Sequence, residues 1–517
     1  MTINCRALGD VVKLNAERIP ENTALHYLDK TISFKELDER SDRVAVGLQA
    51  LGLQAGSRVA LLNKNSATFF DVLFGAAKAN VVLVTVNFRL TRDEVRFIVE
   101  DSEAQVLIVG REHLATVEGL DTTLETLSHI LVIDDTPDCE FAVWRDQQTK
   151  ASKNMDIDCE SAVVQMYTSG TTGLPKGVEL SHRAMVNAAL AGLDVWQFLH
   201  EPDSAVLATM PLFHIAACNL CIAALFVGAR ADIIRDATPE ELADILPARG
   251  INLVPIPATV IHSMLRLPDI ADKDFSALKV MLIAGSGIAA ELLREAGERF
   301  DCGFALSYGS TEMCGGVTYL GPDLCRPDAG KRLESAGPLL ANSELKIVND
   351  NGVEVVKGTI GEIIVRSNRL MNGYWHRPEA TNDALRDGWF YSGDAGYLDE
   401  NGLLFVVDRI KDMVISGGEN IYPVEIEQVL HSHPAVEDVA IVGIPDDKWG
   451  ESLLAFIVPK LGVERPTTDA MIAFLRPKLA GYKIPRRYEF IDAFPRNAMG
   501  KVLKRELRRP YWDKKIV

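Results

Sequence analysis

Residues 167–177 read YTSGTTGLPKG, and the reading of that stretch decides how the rest of the chain is arranged. Gly170, Gly173 and Gly177 remove side chains where the backbone must bend sharply, so consecutive N–H groups can converge on an anion. Thr168, Ser169, Thr171 and Thr172 add hydroxyl donors, and Lys176 adds a positive charge on a flexible stem. Polyphosphate is the natural guest. A Walker A loop needs Gly-Lys-Ser/Thr at its end, whereas Lys176 stands between Pro175 and Gly177, so the P-loop NTPase reading fails. The bland alternative is a flexible Ser/Thr/Gly linker. Against it, residues 162–167 read as a buried strand entering the loop, and a helix is predicted after His182.

Working outward, residues 1–110 alternate helix and strand signals. A helix is expected over 36–53, a strand over 58–62, a helix over 66–79, a strand over 81–86 and an acidic helix from Thr91. Such alternation predicts a parallel sheet with helices on both faces. Residues 111–160 are more polar and hold no recognisable chemistry. Beyond the loop, a strand over 205–211 delivers Leu212, Phe213 and His214 to the start of a greasy run, 215–229, that contains Asn219 and is too short to cross a bilayer.

Residues 280–284 form another strand candidate, followed by Gly285-Ser286-Gly287 and a helix over 289–300. The G-x-G-x-x-A match there is discounted as a dinucleotide fingerprint, because Asp301 closes the helix and no acidic strand end follows to hold a ribose. A strand over 304–308 leads into Gly309-Ser310-Thr311-Glu312, where a hydroxyl and a carboxylate can reach a phosphate and a metal ion together. From Glu344 on, short β segments separated by Asn/Asp/Gly turns suggest a small barrel or distorted sheet. There the sequence GWFYSGDAG places Asp394 in an exposed turn between glycines, able to hold a diol such as ribose. Residues 411–517 read as an α+β module, with Lys501 at the tip of a final glycine turn, Asn497-Ala498-Met499-Gly500.

Composition narrows the partners. A formal net charge of −18 argues against nucleic acid. The stretch 476–515 nevertheless holds thirteen basic residues against four acidic ones. That end suits a nucleotide or an acidic membrane surface as readily as it suits plain solvation. The first twenty residues lack the pattern of a secretory leader, and eight cysteines without an export signal read as free thiols in the cytoplasm. Cys218 and Cys221 form a C-x-x-C inside the greasy run, where packing outweighs zinc.

Seven motifs appear in one order between residues 167 and 507: YTSGTTGLPKG, PLFH, YGSTE, GEI, YSGDAG, DRIKDMVISGGENIYPVEIE and PRNAMGKVLKREL. Together they resemble the acyl- and aryl-CoA synthetases of the adenylate-forming superfamily over essentially the whole chain. The resemblance implies an α/β N-terminal domain, 1–410, of two doubly wound subdomains plus a small β-barrel, and a mobile C-terminal α+β domain, 411–517. It implies a reaction in which a carboxylate attacks the α-phosphate of ATP with Mg²⁺ present, and the thiol of coenzyme A then displaces AMP.

Carried over residue by residue, Thr168, Ser169, Gly170, Thr171, Thr172 and Lys176 match the β/γ-phosphate grip. Tyr308 matches the adenine-stacking position, Thr311 an α-phosphate contact, Glu312 the Mg²⁺ carboxylate, and Asp394 with Arg409 the ribose ligands. Lys501 matches the lysine that bridges carboxylate and α-phosphate. His214 matches the mouth of the acyl pocket and Lys411 the hinge. Gly417 and Gly418 match the pantetheine tunnel, and Tyr482, Lys483 and Arg486 are candidate contacts to the nucleotide of coenzyme A.

Two departures stand out: Ala284-Gly285-Ser286-Gly287 replaces a Gly-Gly-Ala-Pro-like turn, and Ala79-Asn80-Val81 lacks a usual glycine. The expected substrate is a hydrophobic acid, a medium- or long-chain fatty acid, with the enzyme a monomer or homodimer. The rivals are an aryl or cinnamoyl acid and a stand-alone adenylation enzyme that loads a carrier protein; no carrier domain is seen after Val517. A silent nucleotide-binding regulator would require loss of Lys501 or Glu312, and both are present.

Overall fold

The alternation of the first hundred residues condenses into helices with explicit start signals. Ser33 and Glu36 form a capping box that opens the helix Phe34–Ala50, Thr91 and Glu94 another for Arg92–Asp101, and Thr238 and Glu241 a third for Pro239–Ala248. The computed structural model describes residues 5–149, 157–168, 174–283, 288–416, 419–446, 448–496 and 502–512. Its contacts divide the chain into two units, Met1–Leu345 with Val365–Tyr391 and Gly402–Leu404, and Lys346–Ile364 with Ser392–Asn401 and Phe405–Val517.

The first unit holds two seven-stranded sheets. One runs in the order Gly373–Tyr374, Lys176–Ser181, Ala162–Thr168, Val82–Val86, Arg58–Leu62, Ala104–Gly110, His129–Ile133. Its last five strands are parallel and wind outward in both directions from Arg58–Leu62, the doubly wound pattern. Continuous burial of Val82–Val86 fits a central strand covered on both faces.

The other sheet is ordered Gly303–Ala305, Val280–Ile283, Leu253–Ile256, Ala205–Ala208, Arg230–Ile233, Thr23–Tyr27, Lys30–Ser33. Its winding reverses at Ala205–Ala208, the strand that leads to His214. The N-terminal hairpin supplies its last two strands, with Leu25 opposite Ala231 in parallel register. Nothing in the hydrophobic pattern had assigned those strands to a sheet made otherwise from residues 205–305.

In the second unit, Val436–Asp446 and Gly450–Pro459 form a long antiparallel pair flanked by Val414–Ser416 and Arg487–Phe490. Successive residues of Val436–Asp446 face opposite cores. Val439 and Ile441 pack with Ile426, Leu430, Met471 and Leu475, whereas Ala440 and Val442 pack with Phe494 and Leu507. A further five-stranded sheet comprises Ser343–Val348, Gly361–Ser367, Trp389–Leu398, Leu385–Arg386 and Leu404–Arg409. No helix among the described residues is long and apolar enough to cross a membrane, and all eight cysteines are unpaired.

Candidate active site

The glycine-rich loop follows a strand, and a helix begins at His182, as the sequence indicates. The loop joins Ala162–Thr168 to an unforeseen antiparallel strand, Lys176–Ser181, and only then does Ser181 cap the helix His182–Val195. The two strands that flank the loop therefore form an antiparallel pair. Thr168 and Lys176 stand directly opposite each other at the base of the loop. Ser169, Gly170, Thr171 and Thr172 lie outside the described residues, as do Gly417, Gly418 and Lys501.

Glu312 meets the base of this loop. Its Oε1 accepts from Thr168 Oγ1 at 3.3 Å and from the Tyr374 hydroxyl at 3.1 Å. Both donors are neutral, and among the described residues no ion pair reaches Glu312. Glu312 sits in a tight turn between the two-residue strands Gly309–Ser310 and Gly315–Gly316, not simply beyond a longer strand. A Cβ at Gly309 would land on the Gly315 carbonyl oxygen, which makes glycine obligatory there.

Two anchors hold the turn. Met371 N–H donates to the Glu312 carbonyl at 2.9 Å, and the buried Arg369 donates to the Gly316 carbonyl at 2.8 Å and to Ser343 Oγ at 2.6 Å. Thr311 and Tyr308 are half-buried on the same turn, with the Tyr308 carbonyl accepting from Val317 N–H at 2.8 Å. Among the described residues no cluster of three His, Cys, Asp or Glu side chains is present. A lone carboxylate beside a phosphate loop suits Mg²⁺, which keeps waters and takes its other ligands from phosphates.

His214 caps the start of the helix Ile215–Val227. Asn65, almost fully buried, donates to Met210 O and Ile234 O and accepts from Leu212 N–H at 2.8 Å, fixing the turn that presents the histidine. Burial, with Arg89 nearby, lowers the His214 pKa to about 4, and its buried Nε2 has no hydrogen-bond partner among the described residues. The helix that follows is buried except at Ala216, Asn219 and its last residue, Val227. Ala216 and Asn219, three apart, share a face. Asn219 Nδ2 donates to the Cys314 carbonyl at 2.8 Å, while its buried Oδ1 has no hydrogen-bond partner among the described residues. Cys218 and Cys221 are fully buried in this helix as packing residues.

In the second unit Asp394 is not in an exposed turn. It lies inside the strand Trp389–Leu398, is 6% exposed, and bonds Arg409 Nε through Oδ1 at 2.7 Å. Gly396 is there for close packing, since a Cβ would come within 2.6 Å of Phe405 O. Asp408 accepts from Arg409 N–H at 2.7 Å and from Val424 N–H at 3.0 Å. Lys411 is exposed in the 3₁₀ turn Ile410–Asp412, and its carbonyl accepts from Arg508 at 3.4 Å. Tyr482 is exposed, Lys483 pairs with Glu425 at 2.6 Å, and the Arg486 guanidinium lies 4.8 Å from the Trp449 ring centre.

Sequence reasoning missed Tyr374, because its importance rests on contacts with residues far away in the chain; an aromatic pair after Gly373 was the sole local sign.

The family described as AMP-binding enzyme matches residues 12–375, and its C-terminal domain matches 425–501. A fatty acid–[acyl-carrier-protein] ligase, ScoC of Streptomyces coeruleorubidus, is 36% identical, covering 98% of this chain and 97% of its own. A feruloyl-CoA synthase of an Amycolatopsis species is 35% identical over 98% of this chain and 99% of its own. The solved structure of the Bacillus subtilis o-succinylbenzoate CoA synthetase MenE, with ATP and magnesium ion, superposes with a TM-score of 0.83 at 28% identity, covering 96% and 98% of the two chains. The chain belongs to the AMP-binding enzyme family and is an AMP-forming acid–thiol ligase.

Proposed function

We propose that the chain is an ATP-dependent acid:CoA ligase that activates a hydrophobic carboxylic acid through an acyl-adenylate, with a medium- or long-chain fatty acid as its substrate. The observation that carries this reading is the meeting of Thr168, Lys176 and Glu312 at the base of the glycine-rich loop. Carboxylate and triphosphate repel, so positive charge and oriented donors must gather both before attack. In this reading Ser169 to Thr172 and Lys176 grip the β- and γ-phosphates, Thr311 the α-phosphate, and Tyr308 stacks on adenine. Glu312 would hold Mg²⁺, which would offset phosphate charge when bound. Asp394, already oriented by Arg409, takes the ribose hydroxyls. Lys501 bridges carboxylate and α-phosphate in the first step.

The small side of the Ala216–Asn219 face, beside Gly315 and Gly316, supports an apolar acyl slot behind His214. Each buried methylene contributes about 0.8 kcal/mol there. Lys411 is the hinge that divides 1–410 from a mobile 411–517. Gly417 and Gly418 line the pantetheine path, and Tyr482, Lys483 and Arg486 meet the nucleotide of coenzyme A. Eight unpaired cysteines favour the cytoplasm, and the assembly is a monomer or homodimer.

A second reading, transfer of the acyl group to a carrier protein, is favoured by the likeness to ScoC. The test is both half-reactions of wild type and Lys501→Ala, run over acids of graded length and aromaticity with coenzyme A or a holo carrier protein as acceptor. Lys501→Ala should slow adenylation roughly 100- to 1,000-fold and leave thioester formation from supplied acyl-adenylate largely intact. Unchanged adenylation would refute the role of Lys501. A hydroxycinnamate outperforming every fatty acid would refute the substrate, and turnover with the carrier protein alone would establish the second reading.

A further inference from the structure

The short strand Gly373–Tyr374 is stitched to both halves of the phosphate site. On one side it continues the hairpin sheet: Gly373 pairs with Glu179 and Tyr374 with Val178, while Trp375 N–H donates to the Gly177 carbonyl at 2.8 Å. On the other side, Met371 N–H holds the Glu312 carbonyl. The Tyr374 side chain repeats this bridge in chemistry. Its hydroxyl donates to Glu312 Oε1 at 3.1 Å, and the Lys176 ammonium stands 4.9 Å from the centre of its ring.

The ring itself has little freedom. Tyr374 N–H donates to Thr381 Oγ1 at 2.9 Å. The next residue, Trp375, is pinned between the Arg58 guanidinium, 3.3 Å from its ring centre, and the stacked His376 ring at 3.8 Å. Trp375 Nε1 donates to Asp101 O at 3.0 Å, Arg377 pairs with Asp101 Oδ1 at 2.5 Å, and Tyr167 donates to Asp101 Oδ2 at 2.8 Å. Asp101 thus fixes the first residue of the loop sequence and the segment carrying Tyr374 against one another.

We infer that Tyr374 is the positioning residue of the phosphate site, setting with one ring the spacing between the carboxylate that takes the metal and the lysine that takes the triphosphate. This rests on the roles given to Glu312 and Lys176 above. The hydroxyl and the face act separately: the hydroxyl orients a carboxylate for a cation, as partners of metal-ligating carboxylates do, and the face steadies an ammonium group.

The separation makes the inference testable by direct binding. ATP binding is measured by calorimetry with EDTA and again across a Mg²⁺ titration, on wild type, Tyr374→Phe, Tyr374→Leu and Glu312→Gln, with thermal unfolding followed in parallel. Tyr374→Phe should leave metal-free ATP binding within about two-fold and raise the Mg²⁺ needed for half-maximal enhancement by about ten-fold or more. Tyr374→Leu should show the same Mg²⁺ defect and also weaken metal-free ATP binding by roughly three- to five-fold through Lys176. A wild-type Mg²⁺ response in Tyr374→Phe overturns the inference, as does metal-free binding in Tyr374→Leu equal to that of Tyr374→Phe. Glu312→Gln separates the two levels. If it too responds to Mg²⁺ like wild type, the assignment of Glu312 fails. If it alone loses the response, the assignment stands and the role of Tyr374 falls.

Discussion

Burial disfavours a charged imidazole, and His182 and His214 are both held at about 4 by it, at His182 against the opposing pull of Asp10 and Asp158. His214 is therefore neutral across the working range, and its ionisation contributes no limb to a rate profile between pH 5 and 8. The stability consequence has a definite sign. Because the folded pKa lies below the unfolded value near 6.5, the unfolded chain takes up protons first as pH falls. Stability is full above about 6.5 and drains as pH falls toward about 4, on the order of 3 kcal/mol for each site. His182 Nδ1 accepts from Leu8 N–H at 3.1 Å, an acceptor that an asparagine oxygen can replace. His182→Asn should show a smaller fall in unfolding temperature between pH 7.5 and pH 5 than wild type; an equal fall would show that the acid sensitivity lies elsewhere.

At the scale of elements, the turn bearing Glu312 depends on a glycine that nothing larger can replace. Gly309→Ala drives a methyl onto the Gly315 carbonyl, whereas Gly481→Ala meets nothing within 4 Å. The first should lose roughly 1–3 kcal/mol of stability, with adenylation falling alongside, and the second should change stability by less than about 0.5 kcal/mol. Urea unfolding and pyrophosphate release on the two variants check this, and equivalence between them would remove the argument from backbone contact.

The same elements show what the sequence could tell. Arg58–Leu62 and Val82–Val86 were legible because central parallel strands are continuous apolar runs. Lys176–Ser181 was missed although Val178 and Leu180 are buried and Glu179 is half-buried. Six residues opening with Lys-Gly, next to a loop of stronger character, do not display that alternation clearly. Asp394 was misplaced for a different reason. Its neighbour Gly396 looks like turn punctuation, but it answers to the close approach of the Phe405 carbonyl, and spatial proximity leaves no local trace. Glu312 drew notice as a carboxylate directly after a strand, whereas Arg409 came only from the resemblance of whole motifs, which carries three-dimensional information that composition and periodicity do not.

For the molecule as a whole, the proposed hinge makes the two chemical steps separable. Lys411 lies in the turn Ile410–Asp412, two residues beyond Arg409. A proline there fixes φ near −65°, a value within the 3₁₀ range, and so opposes rotation at this position. Lys411→Pro should retain one half-reaction, adenylation, and lose most thioester formation, as measured by single-turnover assays of each. Equal loss of both would argue against a hinge.

The N-terminal hairpin has a consequence for how the chain is made. Thr23–Tyr27 pairs with Arg230–Ile233, so the ribosome completes the first strand some two hundred residues before its partner. At roughly 5–20 residues per second, the nascent chain waits on the order of 10 to 40 s with that strand edge unsatisfied. An open edge is a template for stray pairing. The interval is a window in which a holdase chaperone, or slower translation after the partner strand has emerged, would determine the yield of folded enzyme.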